Sequence, residues 1–399
     1  GVMRCNPDGS DFEVFAHGLR NVQEFAFDQY GNLFGVDNDS DQPREKERFV
    51  YIVDQMDAGW RCYYQYREGQ YNPWTDEKLW ELPAENHPAY IVPPIRHFID
   101  GPAGFKFNPG TALSPEFKDY FFLTGAPTGG QHAFQVKRNG DSFEMINEQQ
   151  IGSGLAIVGL AFGPDGALYG ADWDGGYPLD EKGSVVKVDV PVSMQQDIRK
   201  EVQELLNQGF KDAAASDLVR LLAHEDMRIR MKAQFGLVRR DRGDLLAAQA
   251  LNGSASQFTR LHAVWGLGQL ARKADTLARD SLVLAFRDSD PMIRGQAVKT
   301  FGEQKSANAT PVLKLVKDED PYVRTLAALA LARHPMPAAT EFLLEQAAEL
   351  KAGQYYLRHG LVTALAACAT AKELYEAQKN DNQRLVAVLA LRRQASPEV

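Results

Sequence analysis

One string occurs twice in this chain, F-x-x-x-G-x-L-aromatic-G-x-D. It is spelled by Phe27, Gly31, Leu33, Phe34, Gly35 and Asp37, and again by Phe162, Gly166, Leu168, Tyr169, Gly170 and Asp172. A glycine at a fixed distance ahead of an apolar run marks a tight turn between short strands, because glycine takes the positive φ such turns need. With turn signals at short intervals, the two copies read as repeated units of short antiparallel strands.

Three strand units follow from this pattern, beginning near Val22, Gly104 and Gly159. The middle one, GFKFNPGTALSPEFKDYFFLTG, carries a longer connection before its closing run Tyr120 to Leu123. Ahead of them, Met3 to Cys5 and Phe12 to Phe15 flank the turn Asn6-Pro7-Asp8-Gly9, a strand, turn and strand. Units of this kind are read as blades of a β-propeller. Closure takes four to eight blades, so about three blades are half of a six-bladed ring, and the chain is expected to be a fragment or to be completed by another chain. An insertion from Tyr63 to Phe98, with Trp74, Trp80 and several prolines, reads either as a binding or lid element or as a loop covering a sheet edge.

From about residue 193 the composition changes. Residues 1 to 199 hold 23 of the 33 glycines and four of the five tryptophans, and the remainder is rich in Ala, Leu and Arg with helical periodicity. Arg230, Arg260, Arg294, Arg324, Arg358 and Arg384 recur at spacings of 30, 34, 30, 34 and 26, with Ala three residues on in five cases and Leu361 in the other. Asp226, Asp290 and Asp320 stand ahead of three of them, and Pro291 and Pro321 follow two of these acids. Asp as N-cap with Pro at the first helical position is a strong helix start. The expectation is a ladder of helical hairpins in which each Arg reaches an Asp of the next repeat. This R-x-x-A register resembles the HEAT-repeat family. The chain is therefore read as a multidomain β + α protein, a partial β-propeller over 1–192 and a HEAT-like α-solenoid over 193–399.

A net charge of -9 argues against a nucleic-acid surface. No apolar run approaches the length of a membrane span, and no signal segment is visible, which for a fragment says nothing of compartment. Cys5, Cys62 and Cys368 form no C-x-x-C-H, so this chain contains no covalent haem site.

At Gly18-Leu19-Arg20-Asn21 the sequence GLRNVQEFAFDQYGNLF resembles the G-x-R-N-P-x-G turn of the glucose/sorbosone dehydrogenase family. Those are propeller enzymes that use pyrroloquinoline quinone. The resemblance implies that Arg20 and Asn21 contact the cofactor; a guanidinium fork suits a planar, carboxylated quinone. Val22 and Glu24 stand where the family has Pro and Gly. The order NPDGSDFEVFAHGLRN, ERFVYIVDQMDAGWR, GFKFNPGTAL and then HEAT repeats looks more closely like bacterial membrane-bound dehydrogenases. That resemblance implies a periplasmic or cell-envelope protein with a cytochrome c domain or protein as electron acceptor, and a protein partner on the HEAT surface.

The alternating acids Asp37 to Asp41 either hold a calcium ion, which the resemblance maps to backbone carbonyls of Asp39 and Ser40, or cap the turn. Asp172 and Trp173 occupy the equivalent place in the third unit and are further cofactor candidates. His17 and His132 are the candidate proton acceptors. Two other readings stay open: a non-catalytic propeller and HEAT scaffold, and a calcium-dependent lactonase-like hydrolase using Asn21, Asp37 and Asp172.

Overall fold

The computed structural model describes residues 1–39, 46–61, 73–79, 88–126, 128–174, 181–194, 196–304, 308–377 and 379–394. Its first half is built of antiparallel meanders. β1 (Val2–Arg4) pairs with β2 (Glu13–Ala16), and the chain then makes a four-stranded sheet from β3 (Val22–Phe27), β4 (Leu33–Asp37), β5 (Arg48–Ile52) and β6 (Arg96–His97). A second sheet takes β7 (Pro102–Phe107), β8 (Phe121–Gly125), β9 (Gln131–Asn139) and β10 (Ser142–Gly152) in the same sequential order. β11 (Ile157–Phe162), β12 (Leu168–Asp172) and β13 (Ser184–Val188) make a third. The first strands lie side by side, β7 packing on both β3 and β11.

The sequence repeat is a repeat of register. Phe27 pairs with Leu33 and Val22 with Asp37, while Phe162 pairs with Leu168 and Ile157 with Asp172, and both first strands bulge at the same place. Gly31 and Gly166 close the two turns at φ +81° and +78°. The inner glycines of the string are space-limited: a Cβ on Gly35 would lie 2.6 Å from Val22, and one on Gly170 would lie 2.9 Å from Ile157. Between the first two sheets the core is aromatic, with Phe34, Phe49, Phe105, Phe121 and Phe134 buried and stacked or edge-on at centroid distances of 5.1–6.2 Å. Between the second and third it is more aliphatic, formed by Leu113, Phe122, Ala133, Ile157, Leu160 and Leu168. Within the insertion, α1 (Pro73–Asp76) places Trp74 in a small core with Leu79 and Ile91.

The second half is helical. Pairs are formed by α3 (Ala215–Leu221) with α4 (Met227–Arg239), α5 (Gly243–Ala250) with α6 (Gln257–Ala271), and α7 (Thr276–Ala285) with α8 (Pro291–Gly302). A 3₁₀ segment, Thr310–Lys317, then pairs with α9 (Pro321–Arg333), α10 (Thr340–Ala348) with α11 (Tyr355–Cys368), and α12 (Ala371–Glu376) with α13 (Asp381–Gln394). The second helix of each pair carries one of the six periodic arginines and stacks on the next second helix. The small residues of the repeat are buried there: Ala233, Ala263, Ala297 and Ala327 are fully enclosed.

The helix starts follow the sequence signals. Asp226, Asp290 and Asp320 accept from the backbone N–H two residues on, at 2.8, 2.9 and 2.9 Å. The ladder forms where acids are available. Arg260 donates to both carboxylate oxygens of Asp288 at 2.7 Å, and Arg294 grips Asp318 at 2.9 and 2.8 Å. Elsewhere other partners stand in: Arg230 lies over the ring of Phe258 at 4.5 Å, and Arg324 reaches Gln346 at 3.3 Å.

The chain divides into two compact units, Gly1–Asn139 with Phe143–Gln208, and Gly140–Ser142 with Gly209–Val399. The helix α2 (Asp197–Gln208) belongs to the first. Its Arg199, 2% exposed, pairs with both oxygens of Asp189 at 2.8 Å and donates to the carbonyls of Asp165 and Leu113.

Candidate functional site

The turn from Gly18 to Asn21 joins β2 to β3, and its position is fixed from three sides. The backbone of His17 and Gly18 pairs with the segment Met56–Trp60, through His17 N to Met56 O at 2.7 Å, Ala58 N to His17 O at 3.0 Å and Trp60 N to Gly18 O at 3.0 Å. Gly18 has φ +71°, and a Cβ there would overlap the backbone of Ala58 and Gly59. The amides of Arg20 and Asn21 both donate to the carboxylate of Asp37, at 3.1 and 2.8 Å.

Beneath the turn lies a buried charge cluster. Asp37, Asp39 and Arg48 have no exposed side-chain surface. Arg48 Nη2 donates to Asp37 at 2.8 Å and to Gly18 O at 3.1 Å, Nη1 donates to Ala58 O, and the guanidinium pairs with Asp39. The ring of Trp74 lies over the guanidinium carbon at 4.8 Å. Burial pulls against the charge on Arg48, but Asp39 and Asp37 beside it hold its pKa above the ordinary arginine value. Glu47, also buried, accepts from the amides of Asp39 at 2.6 Å and Gly101 at 3.3 Å.

Beside the turn is an open cavity of about 480 Å³, lined by Met3, Val14, Leu19 and Trp60 and by the polar His17, Asp57 and Arg61. Arg61 chelates Asp57 at 2.9 and 2.5 Å. Burial raises the Asp57 carboxyl, but the Arg61 hydrogen bonds and charge, together with the Gly59 amide, more than offset it, so the group sits below the usual carboxylate range.

The sequence-predicted residues fall in three places. Arg20 and Asn21 share the turn; Asn21 is exposed, and Arg20 is half-buried with Nη1 on Asn38 O at 2.9 Å. His17 is exposed on the cavity wall. Asp39 spends its carboxylate on Arg48, and Ser40 lies outside the described residues. Asp172 ends β12 and Trp173 follows it; Trp173 N donates to Ala156 O at 2.9 Å and Asp172 accepts from Ser184 Oγ at 3.4 Å. His132 is on β9, edge-on to Phe98 at 5.3 Å, and burial lowers its pKa below the ordinary imidazole value. Among the described residues, no group of three or more His, Cys, Asp or Glu side chains is arranged to hold a metal ion, and no helix is long and apolar enough to cross a membrane.

Arg48 is the central residue that sequence reasoning passed over. Asp37 and Asp172 hold equivalent register positions, but their cross-strand partners differ: Asp37 faces Arg48 and Asp172 faces Ser184. Aligning the closing strands RFVYI and SVVKV on the shared string would have revealed the difference.

The HEAT-repeat family matches residues 279–366. A search of curated protein sequences gives no match. Among solved structures, the chain is similar to the PQQ-bound form of an aldose sugar dehydrogenase from Streptomyces coelicolor, at 16% identity over 46% of this chain and 50% of that one, with a TM-score of 0.33. It is similar also to the apo-form of the soluble aldose sugar dehydrogenase from Escherichia coli, at 18% over 44% and 46%, with a TM-score of 0.30. A third similarity is to the phycocyanin lyase complex from Nostoc, at 19% over 38% and 65%, with a TM-score of 0.31. The chain spans about half the length of the solved dehydrogenases it matches.

Proposed function

We propose that the three meanders are blades of a larger propeller, over 1–192, and that the Gly18–Asn21 turn holds one edge of pyrroloquinoline quinone in a sugar or alcohol dehydrogenase-like protein. One observation carries this reading: both amides of Arg20 and Asn21 are locked onto a fully buried Asp37, which Arg48 holds in turn. A turn held this firmly, with a guanidinium and a carboxamide at its tip, is a pre-organised acceptor for a flat carboxylated ligand.

The donor set fits one carboxylate edge of that cofactor. Arg20 supplies a charge-assisted donor and Asn21 a neutral one, while Arg48 is engaged with Asp37 and Asp39 and contributes through the turn alone. When bound, the quinone would supply the acceptor for a hydride from a C–OH carbon. The residues of this chain orient it, and His17, at the wall of the adjoining cavity, takes the hydroxyl proton. Calcium at the Asp39 and Ser40 carbonyls belongs to the same proposal. So do a periplasmic or envelope location, a cytochrome c acceptor, and a protein partner on the solenoid formed by 193–399.

The test is a titration of the full-length protein with pyrroloquinoline quinone, with and without calcium, following the quinone absorbance. Saturable binding that weakens at least tenfold in Arg20→Ala is the expected result. Absence of saturation, or equal affinity in Arg20→Ala, overturns the cofactor reading and leaves the non-catalytic scaffold and the lactonase-like hydrolase.

A further inference from the structure

The insertion between β5 and β6 supplies a residue to the floor of the turn. Trp74 is fully buried, it anchors a small core with Leu79 and Ile91, and its ring covers the face of the Arg48 guanidinium at 4.8 Å. The edges of that guanidinium are taken by Asp37, Asp39, Gly18 O and Ala58 O. Arg48 therefore joins four segments: the end of β4, the Gly18 turn, the Met56–Trp60 segment and the insertion.

We propose that Trp74 is a positioning residue for the Gly18–Asn21 turn, acting through Arg48. A cation under an aromatic face is held most strongly when it is desolvated. Removing the face admits water to the guanidinium, raises the local dielectric and weakens its attraction to Asp37. Asp37 is the group that holds the amides of Arg20 and Asn21. The packing of Trp74 on Arg48 and the geometry of the turn are thus one equilibrium, and whatever binds at the turn also favours that packing. The ligand-binding half of this inference rests on the cofactor reading above; the coupling between Trp74 and the turn does not.

Trp74→Phe keeps an aromatic face, and Trp74→Leu keeps apolar bulk without one. Amide hydrogen exchange at Arg20 and Asn21 in the full chain reads the coupling without ligand. Trp74→Leu is expected to speed exchange at both amides about tenfold, with Trp74→Phe close to the parent. Pyrroloquinoline quinone affinity should fall in the same order. The proposal is overturned if Trp74→Leu accelerates exchange only within residues 73–79, or if Phe and Leu act alike at the turn. A parent protein that does not bind the quinone removes the cofactor reading alone, because the exchange measurement still decides the coupling.

Discussion

At the scale of single residues, two buried ionisable groups behave oppositely because their partners differ. Arg48 stays charged in a site with no exposure because two carboxylates face it; removing one member of such a pair leaves an uncompensated buried charge, typically about 3–5 kcal/mol. His262, on α6, is buried against a neutral partner, its Nδ1 lying 2.8 Å from Gln234 Oε1, and burial followed by the nearby Arg230 charge keeps its pKa well below the ordinary 6.5. The consequence is a defined pH dependence. Above pH 6.5 both folded and unfolded states carry a neutral imidazole and His262 has no effect. Below it, the unfolded chain binds a proton that the folded chain refuses, so stability falls, by up to about 1.4 kcal/mol per pH unit. Denaturant unfolding at pH 7 and pH 5 should show this loss, and His262→Gln should reduce it; an unchanged slope in that variant refutes the assignment.

The elements differ in how much of them sequence can disclose. Helix starts are local: Asp320 and Pro321 act within one turn, so the N-cap is legible from adjacent residues, and Asp320 does accept from Tyr322 N. Asp320→Ala should lower the solenoid's stability by about 1 kcal/mol in chemical denaturation, with Asp320→Asn retaining most of it because the acceptor oxygen survives. No difference between Ala and Asn would mean that the cap contributes nothing. The strand units were legible for a similar reason, since Gly31 and Gly166 mark the same turn at a fixed distance from the same apolar run. The Arg48 cluster was not. Its members lie on β4, β5, the Gly18 turn and the insertion, and only strand register and the path of a long connection bring them together. Arg199 escaped notice likewise, because a basic residue in an amphipathic helix reads as solvated until its carbonyl partners at Leu113 and Asp165 are known. Arg20 and Asn21 were singled out only by resemblance to a known turn, and the structure shows that Asp37 holds that turn through their amides.

For the whole molecule, the division into two units carries a consequence for unfolding. Each unit has its own core: an aromatic and aliphatic filling between meanders in one, and stacked helical pairs with buried small residues in the other. Solenoid stability is close to a sum of repeat and nearest-neighbour terms, whereas a sheet unit unfolds as one cooperative body. Calorimetry should therefore resolve two transitions, and one substitution in each unit assigns them. Arg199→Met strands Asp189 and two carbonyls inside the first unit, and a loss of about 3 kcal/mol there corresponds to roughly 6–12 °C for a body of this size. Arg294→Met breaks the Asp318 rung of the second, a pair about as enclosed as the first, and takes a donor from the carbonyls of Asp288 and Ser289, so a shift of similar size is expected in that transition. Each variant should move its own transition and leave the other in place. A single transition that both variants shift equally would mean that the two units unfold together, and the stability of the Arg20 turn would then depend on the solenoid as much as on the sheets around it.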